Sequence, residues 1–236
     1  MEAGQIRRFL FLFVSMYQSL VTLDMEGVLT PEIWIAVAEA TGIPELRRTT
    51  RDEPDYDTLM RYRLAILDRH ELGLSQIQKI IGGLCPLEGA LDFLNELRAL
   101  VPVLILSDTF EQFAAPFVRQ LGWPTLFCNR LIVENDRITG YRLRVASQKV
   151  KTVEALQQLN YRVVSVGDSF NDTGMLLAAQ RGFFFCAPPN VRALFPQLET
   201  TETYPDLMGM IRRDMADAAR GHAPEGAALE WVPTPA

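Results

Sequence analysis

Short apolar runs alternate with amphipathic stretches along most of the chain. The runs that predict buried strands are the start of Val21–Leu29, Val101–Leu106, Arg162–Val166 and Gly182–Phe185. The stretches that predict helices between them are Leu87–Ala99, Phe110–Leu121, Lys149–Leu159 and Asn171–Gln180. Asn135-Asp136 between two further apolar runs predicts a hairpin turn. Continuous apolar strands separated by helices are typical of a parallel sheet that is covered on both faces. The predicted fold class is therefore α/β, with a Rossmann-like parallel sheet as its core.

A second pattern interrupts this alternation directly after the first strand. Three runs of helical periodicity, Ile33–Thr41, Asp57–His70 and Leu74–Ile81, follow one another without a clear strand. We interpret residues 30–84 as a small helical insertion. The core domain is then predicted over residues 1–29 and 85–213, and residues 214–236 are predicted to form a disordered tail.

Composition and charge narrow the function classes. The chain of 236 residues has a net charge of −6 and no basic face, which argues against nucleic acid as a partner. Its three cysteines, odd in number and far apart, give no zinc spacing or disulfide framework, so we expect a reduced, cytoplasmic setting. The sequence leaves open whether the protein is a homodimer.

The N-terminus resembles a short signal peptide, because Arg7-Arg8 precede the apolar run Phe9–Val14. The run is too short to span a bilayer, and no clear cleavage site follows it. We therefore expect an N-terminal extension of a protein without a membrane partner, with Met16 as an alternative start.

Two carboxylates follow the first predicted strand. Asp24 and Glu26 lie two positions apart, so in an extended segment their side chains point the same way. Gly27 allows the backbone to turn closely around whatever the acids hold. Buried carboxylates need a cation or another partner, and ligands of open α/β sheets bind at the carboxyl ends of strands. The alternative, two solvated acids at a strand end, is equally consistent with this stretch alone.

Polar residues also follow two other predicted strands. Ser107-Asp108-Thr109 could hold a phosphate oxygen at a helix entrance or could simply cap that helix. Gly167–Asp172 places Asp168, Asn171 and Asp172 after another buried strand, which is more than a cap needs. Lys149 or Lys151 stands at a predicted helix start, where the helix dipole disfavours a lysine unless an anion binds nearby.

Taken together, these residues resemble the motifs of the haloacid dehalogenase-like phosphohydrolases. The four motifs correspond in order to Asp24–Val28, Ser107, Lys149 and Gly167–Asp172. The helical insertion resembles the cap of the phosphoserine phosphatase branch. Glu26 stands where the family usually has aspartate. A narrower subgroup, the bifunctional phosphoserine phosphatase/homoserine phosphotransferase type, also carries glutamate there and is similar in the stretches DMEGVLTPEIW, TTRDEPDYDTLM and ILSDTF.

This resemblance implies a mechanism in which an aspartyl-phosphate forms on Asp24. It implies Mg²⁺ held by Asp24, Asp168 and the main-chain carbonyl of Glu26, with support from Asp172. Glu26 is expected to act as general acid and base. The phosphoryl oxygens are expected on Ser107 and Lys149.

The substrate is expected to be a small phosphorylated amino acid, O-phosphoserine, with homoserine as a second acceptor. The resemblance implies that Glu32 binds the substrate ammonium and that Arg63 binds the substrate carboxylate. Arg61 is the alternative residue for the carboxylate. Asp108 and Asn171 are further expected substrate contacts. A phosphatase for another metabolite, a phospho-accepting signalling module and a silent binding protein stay open as alternatives.

Overall fold

The computed structural model describes residues 18–49, 52, 53 and 55–221. The predicted signal-like segment and Met16 lie outside the described residues. Within them, one mixed sheet has seven strands. The strands are β1 (Gln18–Leu23), β2 (Val103–Phe110), β3 (Leu126–Glu134), β4 (Arg137–Arg142), β5 (Tyr161–Gly167), β6 (Arg181–Phe185) and β7 (Glu199–Thr201).

The strand order places β1 in the centre of the sheet. The order is β4-β3-β2-β1-β5-β6-β7, and only the β3–β4 pair is antiparallel. From β1 the chain first builds the side that contains β2 and β3, and it then returns to build the other side from β5. The strand order therefore reverses at β1, which is where open α/β sheets bind their ligands. The predicted α/β class with a mainly parallel sheet is confirmed.

Helices cover both faces of the sheet. The helices on each face pack against one of two apolar clusters. They are α1 (Ile33–Thr41), α2 (Tyr56–Arg69), α3 (Leu74–Gly82), α4 (Ala90–Arg98), α5 (Glu111–Gln120), α6 (Gln148–Gln158), α7 (Thr173–Ala178), α8 (Pro189–Leu194) and α9 (Tyr204–Gly221). Short 3-10 turns occupy Pro44–Arg47 and Phe170–Asp172.

The three helices predicted between the first strand and Leu84 are present as α1, α2 and α3. We call these helices and their connections the insertion. It contacts the β3–β4 hairpin, whose tip is formed by Asn135 and Asp136, both with positive φ as a tight two-residue turn requires. The Asp136 carboxylate accepts hydrogen bonds from the Ser75 N–H (2.8 Å) and hydroxyl (2.6 Å) at the start of α3. The hairpin tip of the sheet thus caps a helix of the insertion.

Three predicted boundaries are wrong. β2 continues through Phe110, so Ser107, Asp108 and Thr109 lie in the strand and not at a helix entrance. Helix α4 begins at Ala90 and not at Leu87, because Gly89 has a φ of 80°. The helix predicted from Asn171 begins as a 3-10 turn and continues only to Ala178.

The predicted disordered tail begins too early. Helix α9 runs to Gly221, eight residues beyond the predicted core end at Arg213, and residues 222–236 lie outside the described part. Leu207 and Ile211 of this helix are fully buried. Asp214 accepts two hydrogen bonds from Arg162 of β5, at 2.6 and 2.9 Å. Since Asp214 lies past the predicted boundary, this ion pair helps to explain why the helix continues.

Among the described residues, no helix combines the length and the apolar character that crossing a bilayer requires. The three cysteines are free thiols.

We predict that Asp214→Ala lowers the free energy of unfolding by about 1.5–3 kcal/mol, because it leaves the Arg162 guanidinium without its carboxylate. The matched control is Asp217→Ala on the same helix, an exposed residue whose partner is the neighbouring Arg220, with an expected change within about 0.5 kcal/mol. Urea unfolding measures both. Equal effects would mean that α9 is not anchored through Asp214.

Candidate active site

The carboxyl end of β1 positions Asp24 in the middle of the sheet. Its N–H donates to the Val166 carbonyl of β5 at 2.9 Å, which continues the parallel pairing by one residue. The Asp24 carboxylate is buried, and it accepts a hydrogen bond from the Met25 N–H at 2.7 Å. The side chain is therefore held at one place on the edge of the sheet.

Lys149 enters the same place from the first turn of α6. Its buried ammonium lies 2.9 Å from an Asp24 oxygen, 2.7 Å from an Asp172 oxygen and 3.8 Å from an Asp108 oxygen. Lys151, the alternative considered from the sequence, is exposed on the same helix. The structure thus places Lys149, and not Lys151, beside Asp24.

The carboxylates in this cluster outnumber the single ammonium. Burial and the carboxylates of Asp172 and Asp168 raise the pKa of Asp24 well above its ordinary value, and the contact with Lys149 only partly offsets them. Burial would lower the pKa of Lys149, but the surrounding carboxylates outweigh it and raise the pKa well above its usual range. The pKa of Asp172 is lowered despite its burial, because Lys149 and Ser169 bind its carboxylate. Lys149 therefore stays charged, and negative charge remains in excess around Asp24.

Three buried carboxylates converge here. Oxygens of Asp24, Asp168 and Asp172 lie within 4.8 Å of one another, a spacing that a metal ion can bridge. Asp172 is fixed by hydrogen bonds at 3.0 Å from the N–H groups of Asp168 and Ser169 and from the Ser169 hydroxyl. The resemblance assigned the main-chain carbonyl of Glu26 to the metal, whereas the side-chain carboxylate of Glu26 contacts the insertion.

Two glycines make this convergence possible. A Cβ on Gly27 would lie 2.4 Å from the Asp168 carboxylate, and a Cβ on Gly167 would lie 2.4 Å from the Asp172 side chain. Gly27 also has a φ of 79°, which residues with a Cβ rarely adopt. Both strand ends therefore approach each other as closely as the absence of a side chain allows.

Glu26 points toward the insertion. Its carboxylate accepts a hydrogen bond from the Ile33 N–H at the start of α1, at 2.9 Å. Although part of the side chain is accessible, burial and the nearby charge of Glu32 raise the pKa of Glu26 to about 7. A carboxyl group with such a pKa can both give and take a proton near neutral pH.

The insertion covers part of a small cavity of about 100 Å³ above these residues. Glu32, Trp34 and Arg63 line it from the insertion, opposite Asp24 and Glu26. The Arg63 guanidinium stacks on the Trp34 ring at 4.5 Å and is 6% exposed.

The polar contacts of Arg63 are incomplete. One terminal nitrogen donates to the Arg48 carbonyl at 2.9 Å, whereas its buried Nε has no hydrogen-bond partner within the described residues. Arg61, the competitor in the sequence, is exposed and does not line the cavity. Burial lowers the pKa of Arg63 to about 10, so it remains a cation at neutral pH.

The end of β2 forms another wall of the cavity. The buried Ser107 and the half-buried Asp108 both line it, as does the exposed Asn171. Asn171 donates to the Asp108 carboxylate at 2.5 Å. The structure thus brings together every residue that the sequence assigned to the site.

Sequence reasoning missed residues that hold this wall in place. Gln148, which is 2% exposed, donates to the Ser107 carbonyl at 2.6 Å and to the Asp108 carboxylate at 3.2 Å. The Asp108 carbonyl accepts from the Tyr56 hydroxyl (3.0 Å) and from the Asn129 amide (3.1 Å). These residues follow no motif spacing. Gln148 directly precedes Lys149, but a neutral residue at that position carries no signal of its own.

We predict that Gly27→Ala destabilises the protein more than Gly42→Ala. Both glycines have a positive φ, at 79° and 68°, but a Cβ on Gly42 would meet nothing within 4 Å. Gly42→Ala should therefore cost only the left-handed strain, about 1–2 kcal/mol. Gly27→Ala adds the displacement of the Asp168 carboxylate. Denaturant unfolding compares the two, and equal losses would mean that Asp168 adapts without cost.

Comparison with known proteins agrees with this geometry. A sequence profile of the haloacid dehalogenase-like hydrolases matches residues 19–180. The phosphoserine phosphatase ThrH of Pseudomonas aeruginosa is 55% identical over 186 residues, covering 78% of this chain and 91% of that protein. A phosphoserine phosphatase of Pseudomonas syringae pv. tomato is 54% identical over 186 residues, covering 78% of each chain.

A solved structure, a substrate-bound phosphoserine phosphatase complex, shares the fold. Its TM-score is 0.68 at 22% sequence identity, and the match covers 83% of this chain and 98% of that one. The resemblance predicted from the sequence motifs is confirmed by the profile match and by the two Pseudomonas relatives. The chain belongs to the haloacid dehalogenase-like hydrolases.

Proposed function

We propose that the protein is a magnesium-dependent phosphoserine phosphatase that works through a phosphorylated Asp24 and that also transfers the phosphoryl group to homoserine. The observation that carries this proposal is the buried group formed by Asp24, Lys149, Asp168 and Asp172 at the centre of the sheet edge. Two relatives that are 55% and 54% identical bear the name phosphoserine phosphatase, which supports the substrate.

The acidic residues fit Mg²⁺. Carboxylate oxygens are the ligands that this ion prefers, and Asp24, Asp168 and Asp172 present them within 4.8 Å of one another. Burial and the neighbouring carboxylates raise the pKa of Asp24, and a cation held there would relieve the repulsion between the carboxylates. When bound, Mg²⁺ would offset the repulsion between the Asp24 carboxylate and a phosphate dianion and would orient the two groups.

In the first step, an Asp24 oxygen attacks phosphorus while the bond from phosphorus to the serine oxygen breaks. Glu26 gives its proton to that oxygen, so serine leaves as a neutral alcohol. In the second step, Glu26 takes a proton from water, the water oxygen attacks phosphorus, and the bond to Asp24 breaks. A carboxyl pKa of about 7 suits Glu26 to both proton transfers.

The charge on the transferred phosphoryl group needs fixed donors. We assign this task to the Ser107 hydroxyl and the Lys149 ammonium, because both residues are buried and line the same cavity as Asp24. Donors that are already in place when the charge develops stabilise the transition state without reorganisation.

The insertion supplies the contacts that would select an amino acid, and we propose that it is the cap of the site. Arg63 lines the cavity with a cationic guanidinium whose polar contacts are incomplete, and a substrate carboxylate would pair with it. Glu32, on the same cavity wall, would bind the ammonium. Homoserine carries the same two groups, so it can enter after serine leaves and accept the phosphoryl group in place of water.

The cytoplasmic setting, which rests on the free cysteines, remains a prediction, and whether the protein is a homodimer stays open. Neither enters the mechanism.

The proposed function predicts that the protein releases phosphate from O-phosphoserine with Mg²⁺ and not in excess chelator. Asp24→Asn should abolish release, because the neutral amide cannot form the phosphorylated intermediate, while the fold persists. Phosphate release and circular dichroism, measured on the same samples, check this. Turnover of Asp24→Asn within a few-fold of wild type, or full activity in chelator, would contradict the proposal.

We predict that Glu26→Gln slows phosphorylation of the enzyme by phosphoserine about 10²–10⁴-fold, because the serine oxygen then leaves without a proton. An aryl phosphate, whose leaving group needs little protonation, should lose much less in the same step. Single-turnover measurements with both substrates separate the two cases. Equal losses would remove the acid role from Glu26.

We predict that Arg63→Ala lowers kcat/KM for both phosphoserine hydrolysis and transfer to homoserine. The loss should correspond to about 1.5–3 kcal/mol of transition-state stabilisation, because a charge-assisted contact to the carboxylate is lost. Arg61→Ala, on the same helix outside the cavity, is the control. Labelled phosphoserine with excess homoserine, followed by separation of phosphohomoserine from phosphate, measures both reactions. Hydrolysis that Arg63→Ala leaves unchanged would exclude the carboxylate contact, and absence of phosphohomoserine would leave a phosphatase alone.

A further inference from the structure

The Asp108 carboxylate is a surplus negative charge on the cavity wall. Its side chain is 32% exposed, and among the described residues its nearest cation is the Lys149 ammonium at 3.8 Å. Lys149 is already bound more closely by Asp24 and Asp172, at 2.9 and 2.7 Å. One ammonium therefore contacts three carboxylates, and its contact with Asp108 is the longest of the three.

Asp108 is nevertheless held firmly, and by neutral groups. Gln148 donates to one carboxylate oxygen at 3.2 Å, and Asn171 donates to the other at 2.5 Å. The main-chain carbonyl of Asp108 accepts from Tyr56 and from Asn129. Two amides orient the carboxylate and two further groups hold its main chain, all without cancelling its charge.

A fixed carboxylate at this place works against the binding of a phosphate group. Like charges a few ångströms apart repel each other, and they do so more strongly where burial limits the access of water. The same field favours any ligand that brings a positive charge with its phosphate and disfavours one that brings a further negative charge. The position is thus suited to sorting phosphomonoesters by the charge next to the phosphate.

We propose that Asp108, held in place by Gln148, is a specificity-determining residue that selects phosphomonoesters carrying an ammonium group and rejects those carrying additional negative charge instead. This proposal rests on the proposed function, since Asp24 and Lys149 define where the phosphoryl group lies. Gln148 is a positioning residue that acts through Asp108.

A matched set of substrates isolates this effect. O-phosphoserine and 3-phosphooxypropanoate differ only in the ammonium group, so the second carries one more net negative charge. Phosphoethanolamine keeps the ammonium and lacks the carboxylate. The quantity to measure is the ratio of kcat/KM for 3-phosphooxypropanoate to kcat/KM for phosphoserine, because a ratio is independent of the fraction of folded enzyme.

We expect Asp108→Asn to raise this ratio about tenfold, because the fixed negative charge is removed while the side-chain shape is kept. The ratio of phosphoethanolamine to phosphoserine should not rise, because phosphoethanolamine keeps the ammonium and carries one negative charge fewer. Gln148→Met should raise the first ratio by a smaller factor, and it should have no further effect when combined with Asp108→Asn. Glu154→Gln, an exposed residue on the same helix as Gln148, removes an equal charge outside the cavity and should leave the ratios as they are.

An unchanged first ratio in Asp108→Asn, or an equal shift in Glu154→Gln, would overturn the role of Asp108. A full effect of Gln148→Met in the Asp108→Asn background would overturn the positioning role of Gln148. Failure of the proposed function looks different, because the wild-type protein would then turn over none of the three compounds.

Discussion

The contact of the Lys149 ammonium with Asp24 and Asp172 is the interaction on which the rest of the site depends. A buried carboxylate without a cation is costly, and here several lie side by side. Lys149 supports this concentration of charge but does not neutralise it. The folded chain therefore stores an electrostatic imbalance at the place where it would bind a cation and a phosphate.

The strand order makes this imbalance possible. Asp24 directly follows the central strand β1. Asp168 and Asp172 follow its neighbour β5, and Ser107 lies near the end of β2 on the other side of β1. Parallel strands bring these residues to one edge although more than a hundred positions separate the first from the last. Glycine at positions 27 and 167 then removes the atoms that would keep the carboxylates apart.

Most of the strands and site residues could be predicted because their signals lie in short stretches of the sequence. Apolar runs marked the strands, and the acids that follow them marked the edge of the sheet. The wrong or missing predictions depend on contacts between segments that are distant in the sequence. Ser107 was expected at a helix entrance, but pairing with β3 extends β2 past it. Helix α9 was cut short because nothing in its own sequence reveals that Asp214 meets Arg162. Gln148 was missed because a neutral residue shows its role only through what it touches.

The cap that Asp136 provides for α3 is one of several contacts by which the hairpin holds the insertion. Tyr141 of the same hairpin packs edge-on against Tyr56 of α2, with ring centroids 5.8 Å apart. The Tyr56 hydroxyl donates to the Asp108 carbonyl on the cavity wall at 3.0 Å. The hairpin, the insertion and the end of β2 therefore form one connected set of contacts, and we expect a change in the hairpin to alter the cavity although no residue of the hairpin lines it.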